Sequence, residues 1–303
     1  MRIGLIDIDG HNFPNLALMK ISSFHKSFGD SVEWWTPLHW YDILYKSKVF
    51  SFSKDIADPM NADIIIKGGT GYAIDLVDGV EVYDASKDEC LHDDIERMKP
   101  DYSIYPQYDY AVSLTSRGCP RNCNFCIVGK KEGLCSIKVA DVEQYYEGQD
   151  VIEILDPNIL ACAQKDDLLD QYMDTGAKLS FNQGLDIRFM TGDDIERVNH
   201  MRLVRRGLHF AWDNPNENLE PMFKQFADAY RLKDKGTVYV LTNFGSTIEQ
   251  DLHRIYTLRD LGYDPYVMIY DKQHAPKDVR RLQRWVNNKF VFKKCKNFDD
   301  YKR

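Results

Sequence analysis

Three cysteines stand close together in the segment Ser116–Cys126, whose sequence is SRGCPRNCNFC. Three residues separate Cys119 from Cys123, and two residues separate Cys123 from Cys126. A loop with this spacing can direct three thiolates to a common centre. Three thiolates do not complete a structural zinc site, which is almost always four-coordinate. They suit a 4Fe–4S cluster with one open iron, because clusters of this type are held by cysteine thiolates.

The remaining cysteines leave other kinds of metal site open. The chain has seven cysteines, an odd number, and four of them are scattered: Cys90, Cys135, Cys162 and Cys295. A disulfide scaffold is not expected from this pattern. Cys135 would be a fourth ligand of a zinc ion or of a closed electron-transfer cluster, although the eight residues between Cys126 and Cys135 are typical of neither. Incidental cysteines are a third alternative.

The cysteine segment resembles the CX3CXΦC signature of radical S-adenosylmethionine (SAM) enzymes, with Phe125 at the aromatic position Φ. The Arg-Gly pair before Cys119 and the proline after it are also similar to that family. The resemblance implies that Cys119, Cys123 and Cys126 ligate a 4Fe–4S cluster. It also implies that the open iron takes the amino and carboxylate groups of SAM, with Phe125 near the adenine.

The sequence after residue 105 alternates between short apolar runs and longer amphipathic stretches. Six runs predict strands: Tyr110–Leu114, Val151–Leu155, Lys178–Phe181, Leu208–Trp212, Val238–Leu241 and Tyr266–Tyr270. Four stretches between them are long enough for helices: Lys165–Thr175, Gly192–Arg205, Leu219–Leu232 and Ser246–Leu261. This alternation predicts a parallel sheet with right-handed crossovers. Closed or nearly closed, such a sheet is a (β/α)6 barrel, the form of the radical SAM core, and we assign it residues 106–276.

Polar residues follow five of the predicted strands, where barrels of this kind carry their chemistry. The resemblance implies that the second strand end holds the SAM amino group and that the third to fifth hold its carboxylate and ribose. The expected SAM contacts besides Phe125 are Asp156, Asn158, Gln183, Arg188, Asp213, Asn243 and Tyr270. Arg188 suits a carboxylate through a bidentate fork, and a surface ion pair is its alternative. The chain has Asp156-Pro157-Asn158 where many relatives have Gly-Gly-Glu.

Residues 1–105 predict a small, abbreviated doubly wound α/β domain of flavodoxin-like or cobalamin-binding-like type. Its expected elements are strands at Arg2–Ile8, Val32–Trp35 and Asp63–Ile66 and a helix at Asn15–Phe28. The last strand leads into Lys67–Tyr72, with sequence KGGTGY. The glycines of this stretch would allow close approach to a ligand or to the neighbouring domain, or would form a tight turn with positive φ. We include Thr70 and Tyr72 among candidate substrate contacts.

The N-terminal domain resembles the cobalamin-binding domain that precedes some radical SAM barrels. Asp9-Gly10-His11 matches the first half of the Asp-x-His-x-x-Gly cobalt-ligand motif, but Pro14 stands where the glycine belongs. A histidine beside a turn is more often a capping or solvent-exposed residue. We therefore expect a domain of cobalamin-type ancestry that no longer binds cobalamin.

Charge and hydropathy limit the expected partners. The net charge is -8, and an acidic chain does not attract phosphate backbones non-specifically, so nucleic acid is not an expected partner. Residues 277–303 are an exception, with ten Lys/Arg and three Asp. They predict a basic helix and tail with an apolar stripe, either a solvated helix or an RNA- or partner-binding tail: Val279, Leu282, Trp285 and Val286.

No apolar run approaches the roughly 18 residues of a membrane span. The N-terminal sequence MRIGLIDID has acids where a signal peptide would have an apolar stretch. We therefore expect a cytoplasmic protein without a membrane partner.

The predicted function is radical chemistry on a small polar metabolite. The chain is similar as a whole to queuine lyases, which cleave a carbon–nitrogen bond to release an aminomethyl-deazaguanine base. The two donors on the Watson–Crick edge of a deazaguanine suit Asp186 or Asp213, and Asn182 or Asn214 would serve its carbonyl or a cyclopentenediol. An external one-electron donor, flavodoxin or ferredoxin, is implied because the sequence has no second cysteine cluster. The alternatives are a cobalamin-dependent radical methyltransferase and a non-catalytic iron–sulfur or zinc module.

Overall fold

The computed structural model describes residues 1–10, 12–59, 61–77 and 80–302. It is a mixed α/β structure with parallel sheets, which confirms the predicted α/β class. Within the described residues, no helix has both the length and the apolar character needed to cross a membrane. His11 lies outside the described residues, so its place in a cobalt-ligand motif stays a prediction.

The N-terminal region contains a four-stranded parallel sheet in the order β2-β1-β3-β4. Its strands are β1 (Arg2–Asp7), β2 (Ser31–Trp34), β3 (Tyr41–Ser47) and β4 (Ala62–Gly68). A helix, α1 (Leu16–Ser27), begins where the side chain of Asn15 accepts a hydrogen bond from the Leu18 N–H group. A hairpin of β5 (Ile74–Val77) and β6 (Val80–Tyr83) and a short helix, α2 (Asp93–Glu96), complete the region.

The rest of the chain alternates between strands and helices. The elements around the cysteines are β7 (Ala111–Ser113), β8 (Ser116–Arg117), α3 (Val128–Glu132) and β9 (Ile137–Lys138). The alternation continues with β10 (Val151–Ile154), α4 (Lys165–Asp174), β11 (Lys178–Phe181), α5 (Gly192–His200), β12 (His209–Ala211) and α6 (Glu220–Ala229). It ends with β13 (Thr237–Thr242), α7 (Ile248–Asp260), β14 (Asp264–Ile269), α8 (Lys277–Asn287) and α9 (Lys289–Lys294).

The six strands expected after residue 105 are all present and parallel. Strands β7, β10 and β11 form one three-stranded sheet, and β12, β13 and β14 form another. Backbone hydrogen bonds join the two sheets: Phe181 donates to the Gly207 carbonyl over 2.8 Å, and Leu185 donates to the His209 carbonyl over 2.7 Å. The carboxyl ends of neighbouring strands therefore lie side by side. Closure into a partial (β/α)6 barrel stays a prediction.

One face of these strands packs against the helices. Alternating strand residues such as Ile152, Phe210 and Val238 are fully buried in one hydrophobic cluster, which extends into α8. The apolar stripe expected there is buried at Leu282, Trp285 and Val286. The N-terminal sheet has separate clusters of its own, around Leu5 and Leu44. The boundaries 1–105, 106–276 and 277–303 stay predictions.

The sequence overestimates the length of some helices, such as α5, and misses strands β3, β5, β6, β8 and β9. Helix α5 ends at His200 rather than Arg205, because the following chain turns into a parallel bridge between Leu203 and Leu179. Strand β3 was not predicted. It contains Lys46, whose buried amino group is paired with Asp55 at 2.8 Å and with Asp58 at 3.0 Å. From sequence alone, a lysine is expected to be exposed. The sequence of β3 therefore did not look like a buried strand, because the partners that neutralise Lys46 could not be foreseen.

Candidate functional site

The three clustered cysteines lie on a loop that backbone contacts hold closed. Gly118 has φ +85°, and a Cβ atom there would overlap the carbonyl oxygen of Cys135. Cys119 donates its N–H group to the Gly133 carbonyl over 3.1 Å, and Cys126 donates to the Cys123 carbonyl over 3.0 Å. Only glycine fits at position 118, because both its φ and its close backbone neighbour exclude a side chain. We call residues 118–126 the cysteine loop.

The thiols of the cysteine loop are partly buried and are not in disulfides. Burial is the main cause that raises the pKa of the Cys123 and Cys126 thiols, and nearby negative groups raise each pKa further. For Cys126 these groups include Cys119, and for Cys123 they include Cys126, so the three thiols are electrostatic neighbours. Cys135 is exposed.

The donor chemistry of the loop fits an iron–sulfur cluster, but the side chains are not converged on one point. Across the described ranges, no group of three or more His, Cys, Asp or Glu side chains is close enough to hold a metal ion. Two buried polar atoms beside the thiols, Asn158 Oδ1 and Arg121 Nε, have no hydrogen-bond partner among the described residues. Unpaired buried polar atoms are rare in native proteins, and these two fit a site that is completed by a bound group.

A continuous series of polar contacts begins and ends on the cysteine loop. Asn158 donates from Nδ2 to Cys119 Sγ over 3.4 Å and to Asp186 Oδ2 over 3.3 Å. Arg188 donates to the two carboxylate oxygens of Asp186, from Nε over 2.6 Å and from Nη2 over 3.1 Å. Its Nη1 donates to Glu217 over 2.6 Å. Glu217 also accepts from Arg121, which lies between the first two cysteines. We call Cys119, Asn158, Asp186, Arg188, Glu217 and Arg121 the polar ring.

Charges within the polar ring are largely balanced. Burial alone would raise the pKa of Glu217, but the guanidinium groups of Arg121 and Arg188 outweigh it and hold this pKa below its usual value. Arg188 uses three of its N–H donors on Asp186 and Glu217. A guanidinium has five such donors, so two remain for a ligand.

Asp213, which follows β12, lies within electrostatic reach of the cysteine loop. Burial raises the pKa of its carboxyl to about 6, against the opposing charges of Arg254 and Arg188. The carboxylate is among the groups that raise the pKa of both Cys123 and Cys126. The fourth strand end therefore contributes a group that binds a proton weakly near neutral pH, within electrostatic reach of the thiols.

Aromatic side chains connect the cysteine loop to the last two strand ends. The ring of Phe125 lies edge-on to Phe244 with centroids 5.5 Å apart, and Phe244 lies 4.7 Å from Tyr270. Asn243 has φ +62° and donates from Nδ2 to the Tyr270 carbonyl over 2.8 Å. This left-handed turn sends Phe244 toward Phe125. We call Phe125, Phe244 and Tyr270 the aromatic wall.

Several predicted site residues have other contacts. Asp156 is buried and accepts from Thr115 Oγ1 at 2.8 Å and from the Ser116 N–H group, so it holds the strand that leads into the cysteine loop. Burial raises the pKa of this carboxyl. Gln183 and Asn214 are exposed, and Asn214 accepts from the Asn216 N–H group in a local turn.

Of the two candidate substrate contacts in the N-terminal region, one bonds to the helix after the cysteine loop and the other bonds within the N-terminal region. Thr70 accepts a hydrogen bond from Lys131 of α3, directly after the cysteine loop. Tyr72 instead donates to Asp55 over 3.2 Å within the N-terminal region. Gly69 has φ +97°, and a Cβ atom there would overlap the Lys48 carbonyl oxygen. Of the two interpretations of the glycine-rich stretch, the tight turn with positive φ therefore describes Gly69.

A second polar surface lies on the side of the strands opposite the helices. Asn182 donates to Glu153 of β10. The ring of His209 stacks on Tyr239, with centroids 5.6 Å and planes 5° apart, and burial lowers the histidine pKa. We call Glu153, Asn182, His209 and Tyr239 the strand face. Of these four, only Asn182 was predicted as a site residue.

The missed residues had sequence signals of different strength. Glu217 and Phe244 follow predicted strand ends within four residues of Asp213 and Asn243, so a wider search there would include them. His209 and Tyr239 alternate with the buried Phe210 and Val238, and a period of two along each strand would place them on the opposite face.

No protein-family model matches the chain, and no curated protein is significantly similar to it. The assignment of a function therefore depends on the residues and their geometry.

Gly118→Ala should disrupt the cysteine loop, whereas Gly133→Ala should be tolerated much better. Both glycines have positive φ, but a Cβ atom at Gly133 would meet nothing within 4 Å. A side chain at such a positive φ costs roughly 1–3 kcal/mol at either position, so the overlap with Cys135 should appear as an additional loss of unfolding free energy. Urea denaturation measures that difference, and iron content after anaerobic reconstitution measures loop integrity. Equal stability and equal iron for the two variants would contradict the prediction.

Proposed function

We propose that the chain is a radical SAM enzyme in which Cys119, Cys123 and Cys126 hold a 4Fe–4S cluster with one open iron. The polar ring is the observation that carries this proposal, because it ties the second, third and fourth strand ends to the cysteine loop. When bound, the cluster would supply one electron for reductive cleavage of the carbon–sulfur bond of SAM. The partial (β/α)6 barrel belongs to the same proposal, supported by six parallel strands in chain order.

The polar ring and the aromatic wall would divide the binding of SAM between them. Arg188, held by Asp186 and Glu217, would offer its two remaining N–H donors to the carboxylate. Asn158 Oδ1 is a buried acceptor without a partner and would accept from the amino group. The faces and edges of Phe125, Phe244 and Tyr270 suit the flat adenine ring.

The strand face and Asp213 would hold the substrate. Stacked His209 and Tyr239 offer flat ring faces, and the carboxylates of Glu153 and Asp213 accept hydrogen bonds from N–H groups. These groups suit a planar, polar heterocycle. We propose queuine as its specific form, with cleavage of the carbon–nitrogen bond to aminomethyl-deazaguanine. The sequence suggests Asp186 as an alternative acceptor for the donors of the deazaguanine. It suits this role less well than Asp213, because both of its carboxylate oxygens already accept hydrogen bonds from Arg188.

The remaining features complete the proposal. Flavodoxin or ferredoxin would supply the electron. The N-terminal sheet has the order β2-β1-β3-β4, which is similar to the first four strands of flavodoxin-like domains. We propose that this domain is of cobalamin-binding type but binds no corrinoid. A protein expressed with cobalamin and purified without corrinoid absorbance would agree with this.

Anaerobic reconstitution with iron and sulfide tests the proposed function. Incubation with SAM and a reductant should give 5′-deoxyadenosine, and a Cys123→Ala control should give none. Addition of queuine should then yield the free deazaguanine base. Protein that binds about one zinc and no iron, and does not cleave SAM, would reject the enzyme in favour of a zinc module. SAM cleavage without any reaction of queuine would reject only the substrate.

A further inference from the structure

The N-terminal sheet ends in an exposed apolar strand. Strand β4 pairs with β3, and in the described part of the chain no other strand pairs with its outer edge. Its sequence, ADIIIKG, includes Ile64 and Ile66, which are 53% and 36% exposed. Soluble proteins usually shorten, cover or charge such an edge, because its free N–H and C=O groups are a template for another strand.

Helix α1 covers the sheet only as far as β3. Register pairs Ile64 with Ile43 and Ile66 with Tyr45, so all four side chains lie on the same face. Ile43 and Tyr45 pack against the cluster beneath α1. Ile64 and Ile66 continue this apolar face beyond the helix, where they stay 53% and 36% exposed. The edge therefore has both free backbone groups and an apolar surface beside it.

The edge strand is complementary to itself. When two copies pair antiparallel around a two-fold axis at Ile65, Asp63 of each copy lies opposite Lys67 of the other. The same register places Ile64 opposite Ile66. Opposite charges and apolar pairs directly across an antiparallel ladder stabilise it, and like charges destabilise it. The charges of Asp63 and Lys67 therefore favour this one register over the others.

Both charged residues are available for such pairing. Asp63 is exposed and accepts from Trp40 Nε1 over 2.9 Å, which leaves its other oxygen free for a second donor. Lys67 pairs with Asp58 at 2.7 Å, and both side chains are more than two-fifths exposed. An ammonium group has three donors, so it can bind a second carboxylate without losing the first.

We propose that the protein forms a two-fold dimer through antiparallel pairing of β4, which joins the two N-terminal sheets into one of eight strands. The partner is a second copy of this chain, because an antiparallel copy places Asp63 opposite Lys67 at both ends of the pairing, whereas a parallel copy in register would place like charges together. Dimerisation through this edge needs neither a cluster nor a substrate.

Charge-exchange variants of the full chain test the interface. Multi-angle light scattering after gel filtration should give wild-type protein twice the mass of the 35.3 kDa chain. Asp63→Lys alone and Lys67→Asp alone should each be monomeric, since each places like charges across the ladder. An equimolar mixture of the two should recover dimers, because their edges are complementary. Recovery in the mixture also shows that both variants are folded.

A control at an exposed apolar residue far from β4 in sequence keeps the test specific. Phe290→Lys changes an apolar residue that is 74% exposed on α9, and it should leave the dimer unchanged. Hydrogen exchange at the Ile64 and Ile66 amides should slow in the dimer and not in the single variants. Monomeric wild-type protein, dimers that persist in both single variants, or a mixture that stays monomeric would each overturn the proposal.

Discussion

Cys126→Ala is expected to abolish both iron binding and SAM cleavage. Cys126 is the thiol that has both other loop cysteines as electrostatic neighbours. Two thiolates would leave two corners of the cube without protein ligands. Even the loss of an outer partner of a metal ligand costs about 10- to 100-fold in affinity or activity, so removal of a ligand should cost more than about 100-fold. Iron and sulfide per chain, and 5′-deoxyadenosine formed, are the measurements.

Cys135→Ala is the matched control for this prediction. Cys135 is exposed, and its backbone rather than its thiol contacts the cysteine loop. The variant should therefore keep its iron and its SAM cleavage. If Cys135→Ala lost as much iron as Cys126→Ala, the cluster would be capped by four thiolates and would have no open iron for SAM. Full activity of Cys126→Ala would contradict the assigned ligands themselves.

The parts of the site that could be predicted are those with a local signal. The spacing of Cys119, Cys123 and Cys126 is visible within one loop. Arg188 and Asp213 follow apolar runs, and parallel strands bring their carboxyl ends to one edge. These signals need no knowledge of tertiary structure. In the structure Arg188 donates to Glu217, and Asp213 is an electrostatic neighbour of Cys123, but their roles as SAM contacts stay predictions.

The parts that could not be predicted depend on contacts between distant segments. Glu217 becomes part of the site through Arg121, which is 96 residues away in sequence. Asp156 looks like a ligand-binding group in sequence, but the Thr115 and Ser116 donors occupy it. Arg254 is a charged residue in an amphipathic helix, where sequence predicts an exposed side chain, yet it is only 1% exposed.

Buried Arg254 joins two strand ends of the candidate site. Its Nη1 donates to the Trp212 carbonyl over 2.6 Å and to the Asp213 carbonyl over 3.0 Å. Its Nη2 donates to the Leu241 carbonyl over 2.9 Å and to the equally buried Asp251. A single guanidinium thus satisfies three carbonyls and one carboxylate beneath the fourth and fifth strand ends.

Arg254→Met should lower the free energy of unfolding by about 3–5 kcal/mol, because it removes one partner of a buried ion pair and leaves the other unpaired. Burial already raises the pKa of Asp251, and loss of the cation should raise it further. A carboxyl with a raised folded-state pKa destabilises the fold as pH increases through that pKa. The loss should therefore be larger at pH 8 than at pH 5. Urea denaturation at both values measures it.

Arg231→Met is the matched control, because Arg231 forms an ion pair with Glu196 in which both side chains are at least half exposed. Pairs of this kind contribute little to stability, so this variant should unfold close to wild type at both pH values. An Arg254→Met protein as stable as the Arg231→Met protein would show that the buried guanidinium does not hold the strand ends. If the loss of stability in Arg254→Met did not depend on pH, the contacts of Arg254 with the three carbonyls would account for it, and the pairing with Asp251 would not.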